Sequence, residues 1–198
     1  MNPLRISAAL ALALLAAPAP AAAQTVVPVG KFSSVQLKGG GEVRLRHGPV
    51  QRVTIVEGST AYTTIALKDD GKRGNHEQLV IQACNRNCPR IYKLKVEIVT
   101  PDLKAVAVSG GGTMQTVGSF PSGDSLAVAV NGGGHIDVRS ARTESVAAAV
   151  SGGGTIYAHP RASLAAAVRG GGEIRYWGDP SVVTSVQGGG TVKRGSGD

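Results

Sequence analysis

A Gly-Gly-Gly triplet recurs six times in this chain, and that recurrence restricts the folds open to it more than any other feature. The triplets are Gly39-Gly40-Gly41, Gly110-Gly111-Gly112, Gly132-Gly133-Gly134, Gly152-Gly153-Gly154, Gly170-Gly171-Gly172 and Gly188-Gly189-Gly190. Successive starts among the last five lie 22, 20, 18 and 18 residues apart. A period near 20 residues marks architectures in which each repeat covers the apolar face of its neighbour.

The flanks of the triplets are patterned, which a flexible Gly-rich linker would not require. Two, four and six places before successive triplets stand Val130, Val128 and Leu126, then Val150, Ala148 and Val146. The same places then hold Val168, Ala166 and Leu164, and finally Val186, Thr184 and Val182. Alternation with period two predicts a strand ending at each triplet. Four places after the first glycine come Met114, Ile136, Ile156, Ile174 and Val192, which open a second strand. The first copy follows the same rule with Val35, Leu37 and Val43. Each triplet is therefore a sharp structural turn, where glycine reaches positive φ without a steric penalty. A phosphate-cradling loop would need a following helix and a Lys-Ser/Thr pair, and neither is present.

Between the strand positions facing inward lie Ala127 and Ala129, Ala147 and Ala149, and Ala165 and Ala167, a ladder of small residues on the opposite face. It reads as solvent-facing filler or as a flat surface for a partner or a second copy. The step from the first triplet to the second is 71 residues. Strand-like runs continue there at residues 53–56, 79–81 and 94–99, separated by turn signals at Asp69-Asp-Gly-Lys72 and Thr100-Pro101, so about three further coils are expected. The chain is thus predicted to be all-β: a right-handed parallel β-helix of about eight coils, flattened like a pectin-lyase solenoid.

The N-terminus reads as a cleaved signal peptide spanning residues 1–23. Arg5 supplies the positive region, Ile6 to Ala17 the apolar stretch, and Ala21-Ala22-Ala23 before Gln24 the small-residue cleavage site. The apolar run falls short of the roughly 20 residues a spanning helix needs. Residues 24–198 are then one domain, with irregular coils over about 29–103 and regular glycine coils over about 104–194. No transmembrane anchor is expected, and the location is periplasmic, outer-surface or secreted. Export also makes a disulfide between Cys84 and Cys88 the natural reading of Cys-x-x-x-Cys. Half a metal site or a redox pair lacks the extra ligands or the Cys-x-x-Cys spacing.

The precursor carries a net charge of +8, and loss of Arg5 with the leader leaves +7. In an envelope the partners this favours are anionic polysaccharides, lipid head groups or acidic proteins rather than nucleic acid, although such a charge also serves solubility. Candidate binding cations are Arg44 and Arg46 on one strand face, Arg86, Arg90, Lys93 and Lys95 around the cysteine loop, and Arg175 and Lys193 in the repeats. Three and five places after each first glycine, one face carries His135 and Asp137, Thr155 and Tyr157, Glu173 and Arg175, and Thr191 and Lys193. If the repeats stack in register, these form a polar stripe. Tyr157, Tyr176 and Trp177 stand near it as sugar-stacking or capping rings.

The run Phe32-Ser-Ser-Val-Gln-Leu, the glycine turn and Glu42-Val-Arg-Leu open a pattern that continues through Gln78-Leu-Val-Ile81 and Val96-Glu-Ile-Val-Thr-Pro-Asp-Leu103 into the repeats. Over residues 29–194 this resembles the GIN-domain family, described as an autotransporter adhesin head. The resemblance implies a pectin-lyase-type superhelix and a role in adhesion, and brings no catalytic residues with it. Relatives often show Gly-Ser-Gly where this chain has Gly-Gly-Gly.

An enzyme remains the competing class. His135 and Asp137 are candidate acid/base or metal groups with Arg175 stabilising charge. Asp137 and Glu173, two repeats apart, would be separated by roughly 10 Å, near the upper end for an inverting carboxylate pair. The alternative is that all are solvated side chains with cross-strand charge pairing. Gly-Gly-Gly-His-Ile-Asp departs from the calcium repeat because His135 stands where glycine is required. The expectation is therefore a non-catalytic, cofactor-free, adhesin-like envelope protein; a self-associating scaffold is the second class and a polysaccharide-processing enzyme the third.

Overall fold

The computed structural model describes residues 24–69, 77–85 and 87–197. The expected leader at 1–23, most of the Asp69-Asp-Gly-Lys72 turn and Arg86 lie outside the described residues. Every regular element among the described residues is a strand. The first seven are β1 (Thr25–Val27), β2 (Ser34–Lys38), β3 (Glu42–His47), β4 (Arg52–Glu57), β5 (Thr64–Asp69), β6 (Glu77–Gln82) and β7 (Lys95–Thr100). The repeats then supply β8 (Ala105–Ser109), β9 (Thr113–Val117), β10 (Gly123–Gly132), β11 (His135–Asp137) and β12 (Thr143–Gly152). Last come β13 (Thr155–Ala158), β14 (Ser163–Arg169), β15 (Glu173–Tyr176), β16 (Ser181–Gln187) and β17 (Thr191–Arg194).

These strands form two sheets. One has nine strands in the order β1-β4-β7-β3-β9-β11-β13-β15-β17, the other eight in the order β16-β14-β12-β10-β8-β2-β6-β5. From β8 onward the chain alternates between the sheets, and each strand pairs in parallel with the equivalent strand of the next repeat. The register is unslipped: Ile136 sits beside Met114 and Ile156, and Ile174 beside Ile156 and Val192. Side chains of like shape therefore stack in columns. Leu126, Val146 and Leu164, with Val130, Val150 and Val168, face Ile136, Ile156 and Ile174 across a narrow core in which each is no more than 2% exposed. Burying one such side chain contributes about 1.5–3 kcal/mol.

The stretch before β8 departs from the expected coils. β4 pairs antiparallel with β7 and β1, and β5 pairs antiparallel with β6, so both sheets are mixed. The stretch from β4 to β7 adds one strand pair to the stack, β6 with β7, where about three were expected. The remaining strands, β1, β4 and β5, close its end. Spatial order also differs from chain order, because β2 lies between β6 and β8, and β3 between β7 and β9.

The triplets turn the chain as expected, but their three glycines are not equivalent. Gly152 has φ +115°, and its added Cβ would come within 2.7 Å of the Gly132 carbonyl oxygen. At Gly154 a Cβ would lie 2.4 Å from Val130 Cγ1 and 2.6 Å from the Gly134 oxygen. Between them Gly153 has open space around it. The first glycine is needed for its backbone angle and the third for close stacking. The middle one has room for a side chain. Backbone bonds tie successive turns together, such as Gly153 N–H to Gly132 C=O at 3.0 Å and Thr155 N–H to Gly134 C=O at 3.0 Å.

Candidate functional site

The in-register stacking assembles the polar stripe on the outer face of the nine-stranded sheet. One row reads Glu97, Arg44, Gln115, Asp137, Tyr157, Arg175 and Lys193. The row beside it, on the same face, reads Lys95, Glu42, Thr113, His135, Thr155, Glu173 and Thr191. Arg46 follows farther along β3, opposite Val99 and Val117. From Arg44 to Lys193 the row spans five interstrand steps, or about 24 Å. Arg90 and Lys93 are not part of this array; they are exposed in the segment between the disulfide and β7. Cys84 and Cys88 are joined in that disulfide.

The stripe's cations are held by carboxylates. Arg44 bonds Glu42 at 2.6 Å, Arg139 bonds Asp137 at 2.6 Å, and Arg175 bonds Glu173 at 2.6 Å. These three pairs share one sequence form, acid-apolar-arginine, in Glu42-Val-Arg44, Asp137-Val-Arg139 and Glu173-Ile-Arg175. In the first and third, period-two geometry puts both charged groups on one face and the apolar residue in the core. Arg139 instead lies in the turn just past β11, with its N–H on Asp137 and Val138 buried. Lys193 also reaches Glu173 at 3.2 Å, Arg46 reaches Glu97 at 2.7 Å, and Lys95 reaches Glu57 at 3.2 Å. Six cations thus face five carboxylates, and the stripe is nearly neutral despite the basic chain. Pairs this exposed add little stability, but they orient the guanidinium planes.

Aromatic rings mark one end of the stripe. His135 packs edge-on against Tyr157 at 4.8 Å between centroids, and Tyr157 against Trp177 at 5.5 Å. The Arg139 guanidinium lies 4.8 Å from the Trp177 ring centre and 5.5 Å from that of Tyr157, while Arg175 lies 5.4 Å from Tyr157. Trp177 is 8% exposed and donates its indole N–H to the Gly197 carbonyl at 2.6 Å. The ring is a post between repeats and tail, not an open stacking surface. Beside it an open hollow of about 300 Å³ is lined by Thr116, Asp137, Arg139, Ser140, Arg142, His159 and Trp177. Asp137 occupies Nε and Nη2 of Arg139. Since a guanidinium carries five N–H donors, it retains capacity for a second acid.

Arg139 and Arg142 were not singled out in the sequence, though the acid-apolar-arginine form was visible there. The hollow itself was not, because it needs residues from three repeats.

Two titrating groups of the stripe are shifted by their surroundings. Burial lowers the pKa of His135, opposed by Asp137 and reinforced by Arg139. For Glu173, burial acts to raise the pKa, but hydrogen bonds from Lys193 and Arg175 outweigh it and the net shift is downward. A glycosidase acid needs the opposite shift. Among the described residues no three His, Cys, Asp or Glu side chains come together in a metal-holding group.

The alanine ladder also forms in register, with Ala105, Ala127, Ala147 and Ala165 in one row and Ala107, Ala129, Ala149 and Ala167 in the next. Serines 125, 145 and 163 flank it. The alanine rows are shallowly hollow, with about 560 Å³ above them, and Arg169 stands at the end of the same face.

No curated protein matches the sequence. Among solved structures, a "putative adhesin" from Bacteroides fragilis shares the fold at a TM-score of 0.54. It is 20% identical, with 86% of this chain and 95% of that one covered. A "putative cell adhesion protein" from Clostridium sporogenes aligns over 86% of this chain and 97% of its own at 8% identity and a TM-score of 0.44. A "putative adhesin" from Parabacteroides merdae aligns over 88% and 96% at 16% identity and a TM-score of 0.38. No helix among the described residues is long and apolar enough to cross a membrane. The resemblance drawn from the sequence is met within the repeats, where residues 120–180 match the family model described as "Putative auto-transporter adhesin, head GIN domain".

Proposed function

We propose that this chain is an exported, non-catalytic interaction protein of the cell envelope, adhesin-like, that binds anionic polysaccharide along the outer face of the nine-stranded sheet. The observation that carries this reading is the group of Arg139 and Arg175 set against the Tyr157 and Trp177 rings beside the hollow. Guanidiniums oriented by a carboxylate and a ring are matched to bidentate recognition of an acidic group. A row some five strands long suits a polymer with repeated acids. His135, Asp137, Tyr157, Arg175 and Lys193 are the central contacts, Arg44, Arg46 and Lys95 extend them, and Arg90 and Lys93 form a separate cationic flank.

The finer architecture belongs to the same reading. Residues 24–198 form one domain after a leader at 1–23, and the repeats wind as a right-handed parallel β-helix closed at one end by antiparallel strands. The disulfide and the adhesin description of the matched family support a periplasmic, outer-surface or secreted location.

The test is binding of the exported protein to a panel of uronate-containing, sulfated and neutral polysaccharides at low and high salt. Selective binding to acidic polymers, weakened by salt and leaving polymer length unchanged, is expected. Uniform failure to bind, or shortening of the polymer, contradicts the reading.

A further inference from the structure

The two ends of the stack are finished differently. At one end β1, β4 and β5 add antiparallel strands, and the outer strands are a three-residue β1 and a β5 that carries the exposed Lys68. Short strands and edge lysines discourage further pairing. At the other end the outermost strand is β16, Ser-Val-Val-Thr-Ser-Val-Gln, seven residues with no charge and no proline. Val183 is 71% exposed, and Val186, from the column that is buried in every earlier repeat, is 42% exposed.

Hydrogen bonding fixes which backbone groups face outward. Ser181 N–H donates to the Ala162 carbonyl and Gly170 N–H to the Gln187 carbonyl, both at 2.8 Å. Alternation along a parallel strand then points the N–H and C=O groups of Val182, Thr184 and Val186 away from β14.

We propose that β16 is a dimerisation edge that pairs antiparallel with β16 of a second copy about a two-fold axis at Thr184. In this register Thr184 meets Thr184 of the other copy as a hydrogen-bonded pair, and Val182 meets Val186, covering the exposed end of the core column. The occupant is a second copy because the strand is self-complementary: it is neutral, so it meets itself without like-charge cost. On the other sheet, Lys193 and Arg194 of β17 are bridged to Glu173 at 3.2 Å and Asp179 at 3.5 Å, which reduces the repulsion when two such ends approach. The dimer joins the two eight-stranded sheets into one and is independent of the polysaccharide reading.

Light scattering and sedimentation equilibrium on the exported protein test this. A concentration-dependent doubling of mass is expected. Thr184→Pro, which removes the central outward donor, and Val186→Lys should each weaken the dimer by at least about tenfold in Kd. Ala149→Lys, on the face of the same sheet, should leave it intact. Hydrogen exchange of the unmodified protein gives an answer that does not depend on how the variants fold. Val182, Thr184 and Val186 amides should gain protection as concentration rises. A chain monomeric to about 1 mM, a dimer that both edge variants retain, or protection that rises elsewhere and not in β16 overturns the proposal.

Discussion

The stretch from Ala105 to Arg194 and the stretch from Thr25 to Leu103 contribute to the same two sheets by different means. In the first, each repeat copies the last. Isoleucine stacks on isoleucine, the glycine turns bond to each other through the backbone, and the alanine and acid-arginine rows follow from the register. In the second, β2 and β3 join the same columns, but the segments around them are held by side chains with no counterpart elsewhere. The Gln51 amide joins three segments, accepting from Phe32 N–H at 3.2 Å and donating to the Phe32 carbonyl and to Thr100 Oγ1. Tyr92 hydroxyl accepts from Ser59 N–H at 2.8 Å and lies 2.7 Å from Thr63 Oγ1, tying the segment before β5 to the one before β7. Repetition lets the backbone specify the packing. Ending a repeat requires polar contacts that are particular to one place.

The largest effects should come from breaking repetition at its tightest point. Gly154→Val forces a side chain against Val130 and the Gly134 carbonyl, and should cost about 3 kcal/mol or more in urea unfolding. Ile156→Ala, in the centre of the core column, should cost about 2–5 kcal/mol by the same measurement. Gly153→Ala, one residue from the first site, should stay within about 0.5 kcal/mol of the parent. If Gly153 and Gly154 prove equally sensitive, the account of the turn is wrong.

The other region should respond to loss of single hydroxyls. Tyr92→Phe leaves Ser59 N–H without its acceptor and should cost about 1–3 kcal/mol. Hydrogen exchange should show the loosening confined to residues near 59–63 and 85–94, with the repeats unchanged. Spread of that loosening into β12 and β14 would erase the distinction between the regions.

The smallest effect is acid sensitivity, and it belongs to the repeats. Burial lowers the folded pKa of His135, so the unfolded chain binds the proton more readily. Stability is then full above the ordinary histidine value of about 6.5, falls as pH drops below it, and levels off once the folded form protonates too. Glu173, lowered by its cationic neighbours against the opposing effect of burial, adds a second loss as pH falls below the ordinary glutamate value of about 4.3. Unfolding midpoints at about pH 8 and pH 5.5 should differ in the parent and converge in His135→Gln.

These regions were also unequally readable from the sequence. The strands, turns and core columns of the repeats follow from alternation around Gly110, Gly132, Gly152, Gly170 and Gly188, because each copy corroborates the next. The stripe from His135 to Lys193 was readable as a row once an unslipped register was assumed; its continuation to Arg44 was not, because β3 joins β9 out of chain order. Its near neutrality was not, since that depends on which rotamers bring Arg46 to Glu97 and Lys95 to Glu57. The antiparallel pairing of β4, β5 and β1 left no periodic trace. A run such as Arg52–Glu57 alternates in the same way whether its neighbour runs parallel or antiparallel. Nor did the sequence reveal that β2 and β3 lie inside the stack, because chain order carries no such information.

The polymer-binding stripe draws cations from both regions, and Arg90 and Lys93 lie off it. Binding isotherms of an acidic polysaccharide to Arg139→Gln and to the Arg90→Gln, Lys93→Gln double variant test that assignment most directly. Arg139→Gln should weaken affinity by about tenfold or more while the double variant changes it by about twofold or less. Loss of binding in the double variant with Arg139→Gln unaffected would place recognition at the disulfide flank and contradict the account.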